Sequence, residues 1–138
     1  MKHVLLCVAA ATMAVLPAMA SASDCRTRGL AGTWLMGASN DLLCALQVRR
    51  NGNFTASCRT DKGPSIDVKG RMTLNGQCVL RLIGDEAGIR LEGRAWATNN
   101  STRMDAFQGT MTWKVEEGPS WLTVSGHRRP GADRLPID

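Results

Sequence analysis

Tyrosine is absent from this chain and phenylalanine occurs only twice. Proteins that hold single-stranded nucleic acid stack bases on aromatic side chains along a basic stripe. The arginines here are dispersed, and only Arg49-Arg50 and His127-Arg128-Arg129 cluster. They read as a solvated basic face with a weak attraction to anionic envelope surfaces, and no nucleic-acid partner is expected. Histidine is nearly as scarce: His3 lies in the leader described next, which leaves His127. Without a Cys-x-x-Cys pair or a second histidine, a metal site has too few ligands. A Ser-His-Asp site has to use His127, which falls on the last predicted strand with Thr123 and Ser125 on its face. The acidic pairs Asp85-Glu86 and Glu116-Glu117 fall in predicted turns, where solvated charge explains them better than acid–base work. No enzymatic activity, cofactor or metal is expected.

Long apolar runs are missing too, apart from Val4 to Leu16. That run is shorter than the roughly 20 residues needed to span a bilayer. With Lys2 before it and Ala18-Met19-Ala20 after it, the stretch reads as a signal peptide over 1–20. The protein is therefore expected to be periplasmic or secreted, and not membrane-spanning. Asp24, immediately before Cys25, argues against lipid attachment, which favours a small residue there. The remainder divides into an N-terminal arm (21–30), a β domain (31–128) and a C-terminal tail (129–138). Removing Lys2 and Cys7 with the leader leaves 138 − 20 = 118 residues, 17 − 1 = 16 basic against 12 acidic, and 5 − 1 = 4 cysteines. An even cysteine count in a small exported chain implies two disulfides.

A helical period is the third absence. Apolar residues alternate with period two and turn residues recur every 8 to 14 positions, which is the pattern of all-β proteins. Strands are predicted near 31–37, 42–49, 53–60, 65–74, 77–83, 88–97, 105–115 and 120–127. In the hairpin around Asn51-Gly52, Cys44, Leu46 and Val48 share a face, as do Phe54, Ala56 and Cys58. Pairing 48 with 54, 46 with 56 and 44 with 58 matches these faces and leaves Arg50-Asn51-Gly52 as a three-residue loop. Cys44 then stands opposite Cys58, within bridging distance, and Cys25 pairs with Cys78 by elimination. Similar reasoning sets Met72 against Cys78, Leu91 against Met111, Gly93 against Gly109, Ala95 against Phe107, Val115 against Leu122 and Trp113 against Val124.

Gly70, Gly93, Gly109 and Gly126 fall at inward parity within strands. Glycine weakens a strand unless the sheet bends sharply or something approaches closely. Four such positions suit an eight-stranded antiparallel up-and-down barrel, with a β-sandwich as the alternative. Trp96 and Trp121 have the opposite parity to their apolar neighbours and point outward. Beside Trp96, the loop 98–105 carries Arg103 and Met104, and this corner is a candidate binding spot because Trp and Arg dominate interface energetics.

The string "AGTWLM…LLCALQV…C", with Gly32-x-Trp34 on the first strand of a meander, resembles the calycins. It looks most like the small exported bacterial inhibitors of serralysin-type metalloproteases. The likeness covers roughly residues 31 to 58. It implies that Trp34 closes the base of the barrel and that an N-terminal arm enters a protease cleft. Cys25 in a disulfide leaves Ser21, Ala22, Ser23 and Asp24 for that role. The later strands, and a second disulfide, depart from the family pattern. The sequence thus points to an exported non-enzymatic barrel whose partner is another protein, of protease-inhibitor type. Its alternatives are a lipocalin-like carrier of a small apolar ligand and an envelope structural protein. The inward list (Trp34, Met36, Leu46, Val48, Phe54, Met72, Leu80, Leu82, Leu91, Met111 and Trp113) is bulky enough to fill eight strands, which favours the protein binder. Non-reducing peptide mapping should join Cys44 to Cys58 and Cys25 to Cys78; a bridge from Cys44 to Cys25 or Cys78 contradicts the register.

Overall fold

A computed structural model describes residues 25–85, 88–97, 103–115 and 118–129. After a short 3-10 helix (Thr27–Leu30), the chain forms β1 (Gly32–Ala38), β2 (Leu43–Val48), β3 (Asn53–Arg59), β4 (Ile66–Leu74), β5 (Val79–Gly84), β6 (Arg90–Trp96), β7 (Ala106–Val115) and β8 (Gly118–Arg128). Each strand pairs antiparallel with its successor, and β8 returns to β1, closing an eight-stranded up-and-down barrel. Closure leaves no strand edge unpaired, which removes the usual template for aggregation. The end holding the loops after β2, β4 and β6, and the segment leading into β1, is the base; the other end is the mouth.

The β2–β3 hairpin takes the expected register, with Val48 opposite Phe54, Leu46 opposite Ala56 and Cys44 opposite Cys58. Gly52 has φ +89°, a value that costs glycine little and a branched side chain much. Arg49 N–H donates to the Asn53 carbonyl at 2.8 Å and closes the three-residue loop. The β6–β7 pairs also fall as expected, including Gly93 opposite Gly109 and Ala95 opposite Phe107. Both disulfides form as expected, Cys44–Cys58 and Cys25–Cys78. Their sequence separations of 14 and 53 correspond to stabilisation of about 3 and about 4 kcal/mol by restriction of the unfolded chain.

Two registers differ from expectation by four residues. In β4–β5, Met72 opposes Leu82 and Leu74 opposes Leu80, rather than Met72 opposing Cys78. Asn75 organises a longer connection: its side-chain oxygen accepts from Gln77 N–H at 2.9 Å and Val79 N–H at 3.0 Å. Cys78 adopts φ +60° within this turn and leaves the strand pattern to reach Cys25. In β7–β8, Met111 opposes Leu122 and Gly109 opposes Val124, with Val115 opposite Gly118. Only Glu116 and Glu117 separate these strands, and both lie outside the described residues. This register sets Phe107 opposite Gly126, where the ring occupies the space a Cβ would take.

Inward side chains are apolar and buried, from Trp34 and Met36 on β1 to Leu122 and Val124 on β8. Trp113, near the mouth, is partly buried against them. Outward positions are largely polar, the reverse of a membrane-spanning barrel. Among the described residues no helix is long and apolar enough to cross a membrane. All four inward glycines sit where a Cβ would strike a neighbour. At the Gly93–Gly109 crossing those neighbours are backbone atoms, the Gln108 and Glu92 carbonyls. Backbone cannot swing aside as a side chain can, so Gly109→Val should lower unfolding free energy by about 3 kcal/mol. Urea denaturation checks this, and an unchanged midpoint contradicts the close approach.

Candidate functional site

The base is a built polar–aromatic plug. Trp34 has 0 % exposure, and its indole N–H donates to the Leu30 carbonyl at 2.7 Å. Phe107 packs against it with ring centroids 5.4 Å apart. Arg128, opposite Trp34 across the β1–β8 seam, lays its guanidinium carbon 4.7 Å from the indole centroid, a cation–π arrangement. The same guanidinium donates through Nε to the Met104 carbonyl at 2.8 Å. Its two terminal nitrogens donate to the Ala31 and Gly29 carbonyls. One side chain thus fastens the segment 25–31, which lids the base, to β1, β8 and the segment before β7. Burial lowers the Arg128 pKa from its ordinary value, nearby Arg103 adds to this, and Asp105 opposes it. The group remains charged at neutral pH.

The lid has its own fastenings. Leu30 is fully buried. Leu74 N–H donates to the Thr27 hydroxyl at 3.1 Å, and Cys25 is bonded to Cys78. From Cys25 onward, the expected N-terminal arm is therefore part of the barrel's closure. Ser21, Ala22, Ser23 and Asp24 lie outside the described residues, and Cys25, to which they attach, sits at the base.

The expected binding corner divides. Trp96 points outward at 40 % exposure, paired with Ala106, and Arg103 is exposed. Met104 does not belong to that surface. It is 5 % exposed and joins the core, with its carbonyl held by Arg128. Arg128 itself is not part of a solvated basic face, as its place beside His127 and Arg129 suggests, but an inward residue of β8. Its parity with Leu122, Val124 and Gly126 carries that signal. His127 and Arg129 are exposed.

The mouth has a different chemistry. A cavity of about 30 Å³ lies beneath it, lined by apolar groups including Met36, Leu42, Ile66, Ile89, Trp113 and the Cys44–Cys58 bridge. That is room for little more than a water molecule or two, well below the roughly 300 to 1,000 Å³ of small-molecule sites, and its walls offer no polar partner for water. On the outer wall, Trp121 at 68 % and Ile83 at 53 % are the most exposed large apolar side chains among the described residues. They flank a shallow open cleft of about 520 Å³ over β5 to β8.

Arg128→Ala removes this donor from three part-buried carbonyls and uncovers Trp34. At about 1 to 3 kcal/mol for an unsatisfied buried group, and less where water can reach it, the expected loss is about 2 kcal/mol in urea denaturation, with weak recovery by Arg128→Lys. Full recovery by lysine contradicts the need for a planar, forked donor. No family model, curated protein or solved structure matches the chain, so the geometry of its base, mouth and outer wall carries the functional reading alone.

Proposed function

We propose that this protein is exported, catalyses nothing, and binds another protein in the manner of a small protease inhibitor. The observation that carries this reading is the filled interior. Bulky side chains from every strand meet along the barrel axis, and the remaining cavity of about 30 Å³ is too small for a lipid or cofactor-sized ligand. Binding is thereby displaced to the outside. Two disulfides suit an oxidising, exported environment. The base supplies a rigid platform on which Cys25 anchors the four preceding residues, with Trp96 and Arg103 on the surface of the same end. The disulfide at Cys25 fixes the point from which that segment departs, which reduces part of the ordering cost of binding.

A panel of secreted metallo- and serine proteases tests the reading with the mature protein. Inhibition of at least one member is expected, weakened about tenfold or more when residues 21–24 are deleted. No inhibition at micromolar protein contradicts the inhibitor assignment. Native mass spectrometry of the purified mature protein should show no bound small molecule; a co-purifying lipid contradicts the filled interior.

A further inference from the structure

The outer wall of β5 to β8 carries a second, differently built surface. Register places Ile83 opposite Arg90, Arg90 opposite Thr112 and Thr112 opposite Trp121. Ile83 and Trp121 therefore lie on one transverse row, three strand spacings apart, or roughly 14 Å along the sheet. The next row toward the base runs Thr73, Arg81, Glu92, Thr110 and Thr123. Between the two apolar side chains lies the open cleft, with Arg81, Arg90, Glu92, Thr110 and Thr112 around it.

Among the described residues, the charge on and beside this wall is mainly positive. Arg71, Arg81, Arg90 and Arg94 point outward and are exposed, against Glu92, which Arg81 meets at 3.5 Å. One row nearer the mouth, Lys69 and Asp85 are both exposed and offset each other. Among the described residues, Arg81 and Arg90 stand against Glu92 between the two apolar ends, while Arg94 nearer the base and Arg71 on β4 beyond Ile83 add positive charge on either flank. No fold requirement explains Trp121 there, since it is two-thirds exposed while its neighbour Leu122 does the packing.

We infer that this cleft is a docking site for an acidic polypeptide segment bearing an aromatic or large aliphatic anchor. Trp121 and Ile83 bracket the anchor, and Arg90 and its neighbouring arginines meet the carboxylates. The Thr110 hydroxyl offers a partner to a peptide backbone, and the Thr112 oxygen, whose hydrogen points to the Arg90 carbonyl, is a further acceptor. A cleft with threonine hydroxyls between two apolar side chains fits a polypeptide, which can offer a side-chain anchor and backbone hydrogen bonds, better than a flat anionic bilayer. This inference rests on the reading of the protein as a protein binder, and adds to it a partner chemistry and a surface away from the base.

Panning a random dodecapeptide library on the mature protein tests it. Enriched peptides should be acidic with an aromatic or aliphatic residue. Their binding should weaken about tenfold or more in Trp121→Ala and in Arg90→Glu. Lys62→Glu, the same charge change on the β3–β4 loop, should leave it unaltered. Both Trp121 and Arg90 are exposed, so the variants should melt as the wild type does, and Ile83→Ser provides a third readout. Peptides without acidic bias, or peptides indifferent to Trp121→Ala, overturn the proposal. So does Trp121-dependent sedimentation with phosphatidylglycerol–phosphatidylethanolamine vesicles without Trp121-dependent peptide binding. A protease inhibited equally by wild type and Trp121→Ala, with no peptide selected at the cleft, overturns this surface while leaving the protein-binding reading in place.

Discussion

The guanidinium of Arg128 over the indole of Trp34 is the contact on which the rest of the barrel depends. Arg128 sits on the last strand and Trp34 on the first, so their stacking secures the seam where the sheet closes on itself. Its three hydrogen bonds to Gly29, Ala31 and Met104 carbonyls extend that hold to the lid and to the approach to β7. Burial of a cation is unfavourable unless its donors are matched, and here the plug supplies both carbonyls and an aromatic face. The Cys25–Cys78 bridge and the Thr27 hydroxyl fasten the other side of the lid to β4 and the turn before β5.

Consequences for function follow from how the interior is filled. The base is occupied by Trp34, Phe107 and Leu30, and the middle by Leu46, Met72, Leu80 and Met111, all buried. What space remains lies under the mouth and is walled by apolar groups. In the proposed function the barrel is a rigid support, and the surfaces proposed for recognition are the segment attached at Cys25, the corner at Trp96, and the cationic cleft between Ile83 and Trp121. Cys25 and Trp96 lie at the base and the cleft lies on the outer wall. A partner at one need not exclude a partner at the other.

Much of the architecture was legible in the sequence because alternation and turn chemistry agreed. In β2–β3, parity and the Asn51-Gly52 turn jointly selected one register, and the cysteine pair followed. In β4–β5 and β7–β8, parity alone was informative, and a shift of four residues preserves parity. The offset there depends on contacts that alternation does not encode: the Asn75 side chain capping its turn, and the Phe107 ring over Gly126. Arg128 showed inward parity but carried a charge, and its burial becomes sensible only once the three carbonyls and Trp34 are seen around it. Met104 failed as a surface residue for the same reason, since its burial is tertiary. The cleft at Trp121 was half visible: outward parity was clear, but the row linking it to Ile83 needed the β7–β8 register.

Native-state amide hydrogen exchange compares the two ends of the barrel directly. With Arg128 holding the seam and the lid, the amides of Leu74 and Arg128 at the base should exchange only through global unfolding. The amides of Ala38 and Gly84 at the mouth should open at lower free energy. In Arg128→Ala, protection should fall first and furthest at Leu74 and across the β1–β8 seam. Uniform loss across both ends, or unchanged protection at the base, would contradict the role assigned to this side chain.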